Sequence, residues 1–186
     1  MTILLGSKSP RRQELLKGAG IAYTLVNIDC EENFPDSLPL DKVAEYLAIK
    51  KSMAYCEELE DNILLTSDTT VLLDNLILNK PQNEEHAKQM LRLISGKMHK
   101  VYTGVCLRSK YRKIAFTDIT NVYFKEIDES DIAFYVSNYN PLDKAGAYGI
   151  QDWIGYVGIS RIEGDFFNVM GLPVNRVYES LKQMRQ

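Results

Sequence analysis

Apolar residues along the chain alternate between short continuous runs and stripes with helical spacing. The run Ile3-Leu4-Leu5 predicts a short buried strand. Ser9 followed by Pro10 is typical of a helix start, because serine caps a helix and proline suits its first turn. Gly18 or Gly20 is expected to end this helix.

The same alternation of strands and helices continues to the end of the chain. The further elements predicted are a strand over 21–28, a loop over 31–39, a helix over 40–58, a strand pair over 63–73 interrupted at 66–70, a return strand over 76–78, a helix over 83–94, a hairpin of 100–108 and 112–124, a short helix over 128–136, a glycine-containing loop over 140–151, strands over 153–162 and 166–169, and a last helix starting at Pro173. This order predicts one α/β domain over residues 1–186, with a mixed, twisted sheet and flanking helices.

Composition narrows the class of protein without naming a function. The chain has 186 residues, of which 45% are hydrophobic, and 22 Lys and Arg stand against 25 Asp and Glu, for a net charge of −3. This balance excludes a strongly basic nucleic-acid binder and an acidic disordered chain. The first residues turn polar at once, and no apolar run approaches the length of a membrane span. We therefore expect a cytoplasmic protein without a membrane or nucleic-acid partner.

The cysteines and histidines are too few and too scattered for a metal centre or a disulfide framework. Cys30, Cys56 and Cys106 show no metal-binding spacing, and only His86 and His99 could join them. We interpret the cysteines as small buried apolar side chains.

The first strand-to-helix junction is the most informative segment. Residues 6–12 place two serines, a lysine and two arginines around a helix N-terminus, where free N–H groups and the helix dipole attract anions. Arg11 and Arg12 are electrostatically unfavourable in a first helical turn unless a phosphate binds there. The alternative is that both are solvated or paired with nearby acids. The segment lacks the spacing of a Walker A loop.

Two charged residues fall where the pattern predicts apolar surroundings. Lys51 lies on the apolar stripe of its helix, so that it either extends to solvent or reaches an anion in a cleft. Asp68 lies within the polar interruption of a buried run. It either belongs to a turn between two strands or is a functional carboxylate that activates water or binds a hard cation.

Other residues could complete a site of this kind. Lys80 precedes a helix, Glu31 and Glu32 lie in an early loop, and the amide of Gln151 can donate to and accept from a base edge. The candidate cations and carboxylates together suit a triphosphate with a hard divalent cation. No serine-histidine or cysteine-histidine pair suggests covalent catalysis, so the residues favour metal-assisted hydrolysis by water.

Several ordered segments resemble the Maf-like nucleoside triphosphate pyrophosphatases. They cover nearly the whole chain and are Leu5-Gly6-Ser7-Lys8-Ser9-Pro10-Arg11-Arg12-Gln13-Glu14-Leu15-Leu16, Ser67-Asp68-Thr69, Asn79-Lys80-Pro81, Leu93-Ile94-Ser95-Gly96, Asp143-Lys144-Ala145-Gly146-Ala147-Tyr148-Gly149-Ile150-Gln151, Gly164-Asp165 and Val169-Met170-Gly171-Leu172-Pro173. The resemblance implies a fold related to inosine triphosphate pyrophosphatases, with two lobes around a cleft. It also implies hydrolysis between the α and β phosphates, which releases pyrophosphate, and a homodimer.

The resemblance also implies roles for single residues. The general base corresponds to Asp68, assisted by Lys51 and Lys80, and the phosphate-contacting positions correspond to Ser7, Arg12, Lys51 and Lys80. A magnesium or manganese ion would be bound by Glu32 and Asp68. Glu31 is the less favoured alternative to Glu32, because the two glutamates are adjacent and the family's carboxylate could correspond to either.

Substrate preference is implied by Arg11, Thr69 and Gln151, which are similar to the branch that prefers dTTP and UTP. Asp152 stands where glycine is common in the family, next to Gln151. The rival hypothesis is a nucleotide-binding regulator of septum formation or cell division without significant catalysis.

Overall fold

The computed structural model describes residues 2–185. The strands are β1 (Ile3–Leu5), β2 (Tyr23–Leu25), β3 (Ile63–Leu73), β4 (Leu76–Leu78), β5 (Met98–Arg108), β6 (Lys113–Phe124) and β7 (Ile159–Glu163). The α-helices are α1 (Pro10–Gly18), α2 (Val43–Ala54), α3 (Glu84–Ile94), α4 (Glu129–Tyr139), α5 (Trp153–Gly158), α6 (Phe166–Met170) and α7 (Val174–Met184). Short 3₁₀ turns cover Leu40–Lys42, Pro141–Asp143 and Ala145–Ala147. No helix within residues 2–185 is both long enough and apolar enough to cross a membrane.

The strands of the described chain form one mixed sheet in the order β2-β1-β3-β5-β6-β7, and β4 pairs with β3. β1 is parallel to both β2 and β3, whereas β4 is antiparallel to β3 and β7 is antiparallel to β6. The prediction of a mixed α/β fold is therefore confirmed.

The described chain divides into two compact units. The first comprises the described residues within Met1–Thr69, Thr103–Asp118 and Gly171–Gln186, and the second comprises Thr70–Tyr102 and Ile119–Met170. The division into two units agrees with the two lobes that the resemblance implies. The single domain over residues 1–186 stays a prediction.

Helix α2 of the first unit lies unusually close to the sheet. A Cβ atom at Gly104 would come within 2.2 Å of the backbone carbonyl of Ala44. The buried hydroxyl of Thr66 donates to the carbonyl oxygen of Ala48 at 2.7 Å, which ties β3 to the next turn of the helix. These contacts fix the position of α2 over β3 and β5, and Lys51 follows in the next turn of the helix.

The second unit has a buried aromatic cluster. The ring of His99 lies 5.3 Å from that of Tyr148 and 5.6 Å from that of Phe124, and Nε2 of His99 is 2.7 Å from the hydroxyl of Tyr148. Burial lowers the pKa of His99 to about 4, so the imidazole is neutral in the native state near pH 7.

The predicted interruption of the run over 63–73 is wrong, because β3 is continuous from Ile63 to Leu73. A turn at these hydroxyl residues was one of the two alternatives for Asp68. Within the strand, however, the Thr66 side chain finds a backbone acceptor, so no buried polar group is left without a partner there. Asp68 therefore extends from the middle of a strand and not from a turn.

The strand predicted over 153–162 is wrong in its first half, where α5 forms before β7. Aromatic and β-branched residues favour a strand there, but Gly155 donates its N–H to the carbonyl of Asp152. A Cβ at Gly155 would come within 1.9 Å of the Ile150 carbonyl oxygen, so glycine permits this tight turn. The strand predicted over 166–169 is also wrong, because α6 begins where Asp165 accepts the N–H of Phe167.

Candidate functional site

The junction between β1 and α1 forms one side of the candidate site. The Ser7 hydroxyl accepts the N–H of Ser9 at 3.3 Å and a guanidinium N–H of Arg12 at 3.2 Å. Ser9 occupies the N-cap of α1 without a side-chain capping bond, and the first turn has no acidic residue. The positive end of this nine-residue helix is therefore not neutralised by its own first turn.

Arg12 connects three segments of the first unit. Its Nε donates to the carbonyl of Gly171 at 2.7 Å, and one terminal nitrogen donates to the carbonyl of Ser67 at 2.8 Å. The other terminal nitrogen donates to the Thr69 hydroxyl at 3.1 Å. Neither alternative for the arginines included such neutral partners. Through them Arg12 holds both neighbours of Asp68, Ser67 by its carbonyl and Thr69 by its hydroxyl.

Burial is the main cause that lowers the pKa of Arg12 from its usual value, and the charge of Arg11 acts in the same direction. The carboxylates of Asp68 and Glu32 oppose this shift. Arg11 is half-buried in the same turn of α1. Four charged side chains thus influence one another at the junction, which concentrates charge where the sequence predicted an anion site.

Lys51 joins two carboxylates. Its Nζ lies 2.5 Å from Oδ1 of Asp68 and 2.7 Å from Oε1 of Glu32. The Lys51 and Asp68 side chains are only 15% and 13% exposed, whereas that of Glu32 is 53% exposed. Of the two alternatives for Lys51, the structure shows contact with anions and not extension to solvent.

The two early acids have different partners. Glu32 pairs with Lys51, whereas Glu31 accepts a hydrogen bond from the Asn33 amide at 2.9 Å. The register of the loop therefore directs Glu32, and not Glu31, toward Asp68.

The carboxylates fit the divalent cation that the resemblance implies. Residues 2–185 contain no group of three or more His, Cys, Asp and Glu side chains that could hold a metal ion. Magnesium, however, commonly binds one or two carboxylates together with substrate phosphates and water. Glu32 and Asp68, whose carboxylates both contact the ammonium of Lys51, supply this kind of donor set.

Thr103 is a residue of the site that the sequence analysis missed. Its hydroxyl lies 3.0 Å from that of Thr69, which also accepts from Arg12. The available signal was a threonine within the buried, mostly apolar strand β5. Thr69 is thus fixed by neighbours from a helix and from a second strand.

The remaining predicted residues, Lys80 and Gln151, belong to the second unit. Lys80 is exposed two residues after the end of β4, and the carbonyl of the intervening Asn79 accepts the N–H of Gly146 at 3.3 Å. Gln151 is half-buried, and its Oε1 is buried without a hydrogen-bond partner among the described residues. The structure brings together the predicted residues of the first unit, which are Ser7, Arg11, Arg12, Glu32, Lys51, Asp68 and Thr69.

Comparisons with known proteins agree with the sequence resemblance. The chain is 46% identical over 184 residues to a dTTP/UTP pyrophosphatase of Phocaeicola vulgatus, covering 98% of this chain and 95% of that protein. It is also 46% identical to a dTTP/UTP pyrophosphatase of Porphyromonas gingivalis, covering 97% and 92% of the two chains.

A solved structure of the Staphylococcus aureus Ham1 protein is similar in fold, with a TM-score of 0.51, 11% identity and full coverage of both chains. The model of the Maf family, described as Maf-like protein, matches residues 2–184. The chain therefore belongs to the Maf-like protein family.

Proposed function

We propose that this protein is a nucleoside triphosphate pyrophosphatase that hydrolyses dTTP and UTP to the monophosphate and pyrophosphate. The observation that carries the proposal is the half-buried cluster of Asp68, Lys51 and Glu32 beside the N-terminus of α1. Relatives that are 42–46% identical over nearly the whole chain bear the name dTTP/UTP pyrophosphatase. A modified pyrimidine nucleotide would suit the same chemistry.

Asp68 is the proposed general base. Its carboxylate accepts a proton from a water molecule while the water oxygen forms a bond to the α-phosphorus. The bond from the α-phosphorus to the bridging oxygen breaks, and pyrophosphate leaves with the electron pair. The neighbours of Asp68 are held by Arg12, so the carboxylate keeps its direction without a flexible loop.

In this proposal Arg12, Lys51 and Lys80 supply positive charge for the phosphates, and the Ser7 hydroxyl supplies a neutral hydrogen-bond donor. The hydrogen bonds of Arg12 occupy four of its five N–H groups, so it contributes its charge and one remaining donor. Lys51 and Lys80 are ammonium donors that stabilise charge on the transferred group.

Glu32 and Asp68 would hold magnesium or manganese. When bound, such a cation withdraws charge from the phosphate oxygens and helps to orient the triphosphate. The carboxylates of this chain contribute the hard oxygen ligands for that purpose.

Base recognition is assigned to Arg11, Thr69 and Gln151. The unpartnered Oε1 of Gln151 can accept the N3–H of uracil or thymine, while its amide nitrogen can donate to a ring carbonyl. This pattern of one donor and one acceptor matches a pyrimidine of the uracil type.

The test is a panel of nucleoside triphosphates with magnesium, in which pyrophosphate and phosphate release are measured separately. We expect pyrophosphate from dTTP and UTP, and a loss in kcat of about 10²- to 10⁴-fold in Asp68→Asn. Asp118→Asn is the matched control, because Asp118, like Asp68, pairs with a cationic side chain of the first unit, here Arg176 at 3.0 Å. Near-normal turnover in Asp68→Asn would contradict the role of Asp68 as general base. If the wild-type protein released no pyrophosphate from any nucleotide, the result would favour a nucleotide-binding regulator.

We also propose that the enzyme works in the cytoplasm as a homodimer. Soluble nucleotides as substrates support the first proposal, and family resemblance supports the second. Light scattering coupled to size-exclusion chromatography measures the oligomeric state, and a monomeric mass would contradict the dimer.

A further inference from the structure

One tyrosine hydroxyl connects both ends of a tight turn in the second unit. The buried Tyr135 of α4 accepts the N–H of Gly149 at 3.0 Å and donates to Oδ2 of Asp152 at 2.9 Å. Burial, above all, raises the pKa of Tyr135 well above its usual value, so the hydroxyl keeps the proton that it donates.

The turn itself is short and closely packed. The N–H of Asp152 donates to the carbonyl of Gly149 at 3.0 Å. A Cβ at Gly149 would come within 2.5 Å of Oδ2 of Asp152, so the carboxylate lies directly against the glycine. Tyr135 thus adds a side-chain connection to a turn that the main chain already closes.

The charge of Asp152 is compensated inside the same unit. Nζ of Lys144 lies 3.7 Å from Oδ2 of Asp152, and the Lys144 side chain is only 12% exposed. The same ammonium lies 2.8 Å from Asp143. A carboxylate at position 152 is therefore electrostatically supported, although glycine is common there in the family.

Gln151 lies between the two residues that Tyr135 connects. Its Oε1 is buried without a partner among the described residues, although burial without a hydrogen bond is unfavourable for an amide oxygen. A flexible turn could rotate this oxygen toward water. The connection from Tyr135 to residues 149 and 152 restrains that movement, which keeps the acceptor available for a ligand N–H.

We propose that Tyr135 and Asp152 are positioning residues that hold Gln151 for recognition of a pyrimidine base. This inference rests on the proposed function and deepens it, because it assigns base discrimination to a hydroxyl and a carboxylate that need not touch the nucleotide. The phosphate chemistry of the first unit does not depend on this connection.

Tyr135→Phe is the main test, because it removes the hydroxyl and keeps the buried ring. We expect kcat/KM for UTP and dTTP to fall about tenfold, mainly through KM, with a smaller loss for purine triphosphates. Asp152→Asn, which keeps an acceptor oxygen of similar size, should restore most of the discrimination that Asp152→Ala loses. Tyr139→Phe is the matched control, since Tyr139 stacks on Tyr135 from the same helix and is 39% exposed.

A double-mutant cycle with Gln151→Ala separates positioning from general stability. If Tyr135 acts through Gln151, Tyr135→Phe should cause no further loss of base discrimination in the Gln151→Ala background. Equal losses with every base, or additive losses in the double variant, would overturn the proposal.

Binding of dTMP, UMP and dGMP by calorimetry distinguishes this inference from the proposed function. If the wild-type protein hydrolyses no triphosphate but Tyr135→Phe removes a preference for dTMP and UMP, the inference stands without the enzyme activity. If hydrolysis is confirmed and Tyr135→Phe keeps the wild-type base preference, the inference fails alone. A wild-type protein that neither hydrolyses the triphosphates nor prefers these pyrimidines would overturn both.

Discussion

The ammonium nitrogen of Lys51 lies 2.5 Å from Oδ1 of Asp68, although the two residues come from a helix and a strand. The same nitrogen contacts Glu32 in a loop. Two carboxylates at close range repel each other, and the lysine between them offsets this repulsion. The cluster thus combines two carboxylates, which we propose as a base and as cation ligands, with a positive charge that suits a phosphate.

The first prediction concerns the charge of Lys51. Lys51→Met should reduce kcat with UTP by about 10²-fold or more, because one electrostatic contact to the transferred group is lost. The same change should strengthen binding of manganese in the absence of nucleotide, since the competing ammonium is removed. Steady-state kinetics and metal titration by calorimetry measure the two effects.

Lys50→Met is the control for this experiment. Lys50 is the preceding residue of the same helix, and its ammonium donates to the Asn33 carbonyl at 2.9 Å. Its substitution should leave kcat within about twofold of the wild type, as for most exposed polar contacts. Equal kcat values in Lys51→Met and the wild type would contradict an electrostatic role for Lys51.

The position of Lys51 shows what the sequence pattern could predict. The helical stripe correctly placed this lysine on a buried face. The apolar residues around Asp68 correctly placed this carboxylate within a buried run. The pattern could not show that β3 continues through the polar residues after Leu65. That continuity depends on the Thr66 hydroxyl and a carbonyl of α2, which lies 18 residues away.

The second prediction concerns Arg12 as a structural connection. Arg12→Lys keeps the positive charge but cannot reproduce the fork that contacts Gly171, Ser67 and Thr69. We expect the free energy of unfolding to fall by about 1–3 kcal/mol, because buried acceptors lose their donors. Urea unfolding at pH 7 measures this change.

Arg161→Lys supplies the comparison for Arg12. The Arg161 side chain is 63% exposed and pairs with Glu163 at the surface of the second unit. Its conversion to lysine should change the free energy of unfolding by about 0–1 kcal/mol. If Arg12→Lys lowered the free energy of unfolding by no more than Arg161→Lys, the Arg12 guanidinium would not be a structural connection.

The sequence could not predict the hydrogen-bond partners of Arg12, and the reason is general. The pattern identified two arginines in the first turn of a helix, and an anion was the simplest partner. Carbonyl groups are present at every residue, so no spacing of residue types marks Ser67 and Gly171 as acceptors. Only the arrangement of the strands brings these carbonyls to the guanidinium.

The third prediction concerns pH and His99. Its pKa is about 4 in the native state against about 6.5 when unfolded, so the unfolded chain binds more protons between these values. The contribution of the neutral imidazole to the free energy of unfolding is therefore at its maximum above pH 6.5. It falls by up to about 3 kcal/mol as the pH decreases to 4. Below pH 4 this contribution no longer changes.

The difference in free energy of unfolding between wild type and His99→Gln isolates this contribution from the carboxylates. We expect the wild-type advantage to decrease steadily from pH 7 to pH 4 in urea unfolding. His86→Gln is the control, because His86 lies at the start of α3 and is partly exposed. A wild-type advantage that stays constant over this range would contradict the prediction.

The absence of a side chain at Gly104 constrains the chemistry of the site from a distance. Gly104 lies against the backbone of Ala44, and Lys51 follows two helical turns later, about 10 Å along α2. A β-carbon at position 104 would lift the beginning of this helix and tilt the ammonium away from its carboxylates. A single hydrogen atom in place of a side chain on β5 thus sets where a lysine about 10 Å along the helix can reach.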